Sequence, residues 1–205
     1  MYHGERFNSI SHLVGAALAL AATVVLVVFA SMKGDPWKIV SFSIYGTTLF
    51  MLYTLSTLYH STRGQVKSVF LKLDHAAIYL LIAGSYTPFT LVTLRGAWGW
   101  SLFGVVWGLA IIGIVIDSLH RNGPRIYQMT IYLLMGWLVL IALYPLLQNI
   151  PINGVIWLVI GGLCYTGGMV FYALDNKLAF AHGIWHLFVL AGSICHFVAI
   201  LLYVL

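Results

Sequence analysis

Long apolar runs broken by short polar connectors set the pattern of this chain from its first helix to its last residues. A helix needs about twenty mainly apolar residues to cross a bilayer core, and lipid offers unpaired backbone groups no partner, so each run reads as a membrane-spanning α-helix. Seven runs are counted, at about 10–31, 38–60, 74–93, 98–118, 126–145, 154–173 and 182–204. The connectors hold the turn formers, as in Lys33-Gly34-Asp35-Pro36, Arg121-Asn122-Gly123-Pro124 and Asn149-Ile150-Pro151-Ile152-Asn153. The expectation is an all-α membrane protein, a seven-transmembrane-helix bundle that forms a single membrane domain over residues 1–205. The first run, preceded by Arg6, is too long for a signal peptide and is expected to be a retained span.

Composition removes the soluble alternative. The chain is 61% hydrophobic and 7% charged, where globular domains carry roughly 25% charged residues. Its net charge of +5 comes from ten Lys and Arg scattered between apolar runs. Lipid headgroups are therefore the expected counter-charge, and no nucleic-acid partner is expected. The positive charges also orient the bundle. One side holds seven (Arg6, Arg63, Lys67, Lys72, Arg121, Arg125 and Lys177) and the other three (Lys33, Lys38 and Arg95). Short cytoplasmic loops carry the Lys and Arg excess, so the N-terminus is expected in the cytoplasm and the C-terminus outside. Gly104-Val105-Val106-Trp107-Gly108 predicts a close helix contact, as do Gly161, Gly162, Gly167 and Gly168. Pro88 and Pro145 fall near outer helix ends, and Cys164 and Cys195 within apolar runs where a small hydrophobe packs well.

Ionisable groups inside a membrane are expensive and mark function, and here they converge on one side. His60 closes the second span, Asp74 opens the third after a loop of about a dozen residues, and His182 and His186 open the seventh. His182 and His186 are spaced i, i+4, which puts both imidazoles on one helix face. With His60 at matching depth, they form a three-nitrogen set that suits Zn2+ and leaves one position open, as catalytic zinc requires. Ser56 precedes His60 by one turn and shares its face. Asp74 fits two roles that the sequence does not separate, a fourth ligand or the proton acceptor of water at the metal. Glu5, Asn8 and His12 form one helical stripe that suits groups orienting the ligands, or equally helix capping with interfacial polarity. His196 lies about 15 Å beyond His186 along the axis and about 80° around it, a poor ligand position. His75 points about 100° from Asp74, and His3 and His120 are expected to be exposed. Asp117 and Asp175, near cytoplasmic helix ends, are read as solvated.

Three ordered motifs, Glu5-x2-Asn8-x3-His12, Ser56-x3-His60 followed by Asp74, and His182-x3-His186, give the chain its likeness to a known family. With Leu55-Ser56-Thr57-Leu58-Tyr59-His60 and Leu73-Asp74-His75-Ala76-Ala77-Ile78-Tyr79, it resembles the bacterial hemolysin III proteins, within the progestin and adipoQ receptor family. The resemblance covers nearly the whole chain. It implies a bacterial cytoplasmic (inner) membrane location, an inside N-terminus, zinc on the counterparts of His60, His182 and His186, and water at the metal linked to Asp74. The family's adiponectin receptors are associated with ceramidase activity, and its bacterial members are linked by name to haemolysis and by proposal to membrane homeostasis.

The leading functional expectation is a zinc-dependent hydrolase of a lipid amide or ester, with Asp74 as base and Ser56 as polar support. The alternative is a non-enzymatic sensor of membrane state in which zinc staples the second and seventh spans. A pore-forming cytolysin is the weakest reading, because a secreted toxin must first be soluble.

Overall fold

A computed structural model describes residue 2, residues 4–119 and residues 125–205. The expected turn at Arg121-Asn122-Gly123-Pro124, and the expected exposure of His3 and His120, lie outside the described residues. The elements are α1 (Arg6–Lys33), α2 (Pro36–Ser61), α3 (Gly64–Pro88) with a π-helical turn over Phe89–Thr93, α4 (Ala97–Leu119), α5 (Ile126–Gly136), a 3-10 segment over Trp137–Ala142, α6 (Leu143–Asn149), α7 (Ile152–Ala173) and α8 (Ala181–Tyr203). Among the described residues, seven segments are long and apolar enough to cross a membrane, the fifth being Ile126–Asn149, which joins α5, the 3-10 segment and α6.

Local chemistry sets the turns between spans. Gly34 ends α1 in the left-handed region, at φ 66°, which L side chains avoid. Asp35 then caps α2 by accepting hydrogen bonds from the backbone N–H groups of Trp37 and Lys38, with Pro36 at the first helical position. Each span packs against its neighbours in sequence, and α1 meets α8, so the bundle closes into a ring. Close approach near the site depends on Gly183, where a Cβ would collide with the Phe7 ring. Leu18, Val24, Ile111 and Leu202 point outward, as a lipid-facing surface requires.

Two helices depart from regular geometry for identifiable reasons. Pro88 lacks an N–H, and α3 passes directly after it into the π-helical turn. In the fifth span, the Tyr86 hydroxyl inserts into the helical ladder, within 2.9 Å of the Met135 carbonyl and 2.7 Å of the Gly136 carbonyl. It also accepts the Val139 N–H at 2.9 Å. A side chain inserted in this way disrupts i to i−4 pairing, and the 3-10 segment follows at once.

Two expectations are corrected. Residues 64–73 are not loop: only Thr62 and Arg63 separate α2 from α3, so Asp74 sits within the third turn of α3 rather than at its start. The stretch carries Lys67 and Lys72, which lower its hydropathy, yet Val66, Val69 and Leu73 give it a helical apolar face. The Gly104 to Gly108 motif also makes no close helix contact. Nothing among the described residues lies within 4 Å of a Cβ built at either glycine, whereas a Cβ at Gly161 or Gly168 would collide with α8.

Candidate metal centre

The end of α2, the start of α8, the start of α1 and the third turn of α3 meet at one end of the bundle. There His60, His182 and His186 each offer a nitrogen, and these nitrogens lie within 4.8 Å of one another. The ring centroids are 4.9 Å apart for His60 and His182, 5.0 Å for His60 and His186, and 4.8 Å for His182 and His186. His60 and His186 are buried, with His182 more open.

Each imidazole is held from behind through Nδ1. His60 Nδ1 lies 2.7 Å from Glu5 Oε2. His182 Nδ1 lies 3.2 Å from Asp175 Oδ2. His186 Nδ1 lies 3.2 Å from the Asn8 carbonyl, beside the Ser11 hydroxyl at 3.1 Å. Donation from Nδ1 to these oxygens leaves the Nε2 lone pairs free to bind a metal. His60 Nε2 is buried and has no hydrogen-bond partner among the described residues. Buried polar atoms are nearly always paired, so this orphan fits a donor set that could hold a metal ion.

Glu5 organises one flank. Its carboxylate accepts from Asn8 Nδ2 at 2.8 Å and from Lys67 Nζ at 2.7 Å, besides its contact with His60. Burial works against the charged form, but the hydrogen bonds from Lys67, Asn8 and His60 outweigh it and hold this carboxyl down to about 2. Lys67 also bonds the Tyr2 hydroxyl at 2.6 Å, tying the N-terminal segment to α3.

His12 is buried and stacks on His186, with ring centroids 3.5 Å apart and planes 11° from parallel. Neither of its nitrogens has a hydrogen-bond partner among the described residues. Ser56 is buried and Asp74 is half-buried. Both line a cavity of about 1340 Å³ that begins beside His60 and His182 and runs through the bundle to Leu146 and Val155. His196 lies apart, edge-on to Tyr165 at 5.3 Å.

Asp175 and Asp117 are not solvated. The Asp175 side chain is 9% exposed, lies 3.2 Å from His182 and accepts from Arg125 Nη1 at 2.6 and 2.7 Å. Asp117 accepts from Gln128 and sits 3.7 Å from His75. Proximity to a helix end in sequence does not reveal these partners, because Arg125 and Gln128 arrive from the fifth span.

Residues 1–197 match the family described as haemolysin-III related. Over 202 residues the chain is 45% identical to Hemolysin-3 of Bacillus cereus, covering 98% of this chain and 92% of that protein. It is 43% identical to the Hemolysin-3 homolog of Bacillus subtilis (strain 168) over 200 residues, 97% of this chain and 93% of that protein. A more distant likeness, 29% over 191 residues, 90% of this chain and 79% of the other, links it to the human monocyte to macrophage differentiation factor. The seven spans and these relatives make it a multi-pass bacterial membrane protein, and the chain belongs to the haemolysin-III-related family.

Proposed function

We propose that this chain is a zinc-dependent hydrolase of lipid amides or esters, working at the cytoplasmic side of the membrane. The observation that carries the reading is the convergence of His60, His182 and His186 at the mouth of a cavity that Asp74 and Ser56 also line. An all-imidazole set suits zinc, and three protein ligands are the usual complement of a catalytic site. Zinc held there would supply a Lewis acid and bring the pKa of a coordinated water down to about 7.

The protein groups have separate tasks. Asp74 accepts the proton of the attacking water, and the Ser56 hydroxyl, which lines the same cavity, gives polar support to that water or to the oxyanion. Glu5 and Asn8 hold the rings of His60 and His186, and the His12 face packs on His186. The cavity beyond Asp74, walled by Leu143, Leu146 and Val155 among others, suits a lipid tail. The excess of Lys and Arg at the site end supports a cytoplasmic N-terminus and an outer C-terminus for one membrane domain over residues 1–205.

A sensor with a structural zinc is the second reading, favoured by the fact that the three imidazoles come from two spans, α2 and α8, which a metal would staple. Zinc content and fatty acid release from ceramide-like and phospholipid substrates, measured together in bilayers, separate the two. The hydrolase reading expects about one zinc per chain and release above a protein-free control. His60→Ala, His182→Ala and His186→Ala should each lose the metal, with His196→Ala retaining it. A fully loaded protein that releases nothing across the panel overturns the hydrolase in favour of the sensor.

A further inference from the structure

The third flank of the centre is built by residues that no motif of the chain marks. Asp175 lies in the connection between α7 and α8, and its carboxylate faces two partners. Oδ2 receives His182 Nδ1 at 3.2 Å, and both oxygens receive Arg125 Nη1, at 2.6 and 2.7 Å. Arg125 stands immediately before α5 with its guanidinium over the Tyr172 ring, 5.2 Å from the centroid. The Glu5 flank repeats this arrangement: Lys67 bonds Oε1 at 2.7 Å and His60 Nδ1 lies 2.7 Å from Oε2. Two imidazoles of the cluster therefore have a carboxylate behind them and a cation behind the carboxylate, whereas Nδ1 of His186 meets, among the described residues, a backbone carbonyl and a hydroxyl.

We infer that Asp175, braced by Arg125, is a positioning residue for the metal centre: it fixes the tautomer and ring orientation of His182 and thereby ties the fifth span to the site. The inference rests on the zinc reading above. Asp175 meets the ring at Nδ1, the edge turned away from a metal at Nε2, so it acts behind the ligand rather than as a ligand. Arg125 serves to hold the carboxylate in place rather than to hold the fold together. Its side chain is 46% exposed while that of Asp175 is 9% exposed, so water screens the pair from the Arg125 side and lessens what it adds to stability.

Such outer partners typically govern metal affinity by roughly 10- to 100-fold. Asp175→Ala should weaken zinc affinity by about that factor in competition with a chelator, and should shift the visible absorption of Co2+-loaded protein by freeing the His182 ring. Asp175→Asn keeps the shape and an acceptor oxygen, so its loss should be smaller. Arg125→Ala should weaken affinity, and Arg125→Lys, which retains the cation, should recover part of it. Lys177→Ala, an exposed change in the same connection, should match wild type. The variants are compared as monodisperse protein with thermal midpoints recorded, because a merely structural pair would lower the midpoint and leave the Co2+ spectrum unmoved. Wild-type affinity and spectrum in both Asp175→Ala and Asp175→Asn overturn the inference alone. A wild-type protein that takes up neither zinc nor cobalt overturns the zinc reading and this inference with it.

Discussion

Glu5 Oε2 lies 2.7 Å from Nδ1 of His60, a contact across 55 residues that joins the first turn of the bundle to the end of α2. Because Glu5 also receives Lys67 and Asn8, its carboxylate is held by partners on α1 and α3 as well as by His60. Glu5→Ala should therefore lower zinc affinity by roughly 10- to 100-fold while the imidazoles remain. Glu5→Gln, which can still accept from Nδ1, should fall between. Chelator competition reads both values, and a Glu5→Ala protein with unchanged affinity would remove Glu5 from the site.

Some of this centre was legible in the sequence and some was not, for a physical reason in each case. His182 and His186 announce themselves because helical period is local, and His60 joins them through matching depth in an antiparallel bundle. Asp175 is hidden. It precedes His182 by seven residues, and their meeting depends on the turn between α7 and α8, where Phe180 adopts the left-handed region at φ 64°. Arg125 is hidden further, since only the folded ring brings the fifth span beside that turn. The helix over 64–73 was concealed by its lysines, which signal a loop to a hydropathy count but cover an interfacial helix equally well. The break in the fifth span was beyond local reading because its cause, Tyr86, belongs to α3.

Tyr86 supplies a test of that break. Tyr86→Phe removes the hydroxyl that bonds a carbonyl at Met135 or Gly136 and accepts from Val139, leaving buried backbone groups unpaired. Stability should fall by about 1–3 kcal/mol, read as a lower thermal midpoint, with faster hydrogen exchange at the Val139 amide. Unchanged exchange there would mean that the 3-10 geometry is intrinsic to Trp137–Ala142.

Topology is tested independently of the metal. With seven positive charges on the site side and three on the other, a reporter active only outside the cytoplasm should work when fused after Leu205. The same reporter at the N-terminus should be silent. A silent C-terminal fusion together with an active N-terminal one would break the orientation, and would move the centre to the outer face of the membrane.

The chemistry turns on Asp74, which lines the cavity beside Ser56 and is absent from the three-imidazole cluster. If it accepts a proton during hydrolysis, Asp74→Asn should keep most of the zinc, since His60, His182 and His186 are untouched. Fatty acid release should nevertheless fall by at least about 100-fold, the lower range for loss of a positioned general base. Ser56→Ala should lose less, because the carboxyl remains in the cavity. The two readouts divide the roles that a carboxylate at this depth can play. Zinc content that drops in step with activity in Asp74→Asn makes Asp74 a ligand, and full activity with full zinc in that variant removes it from the reaction.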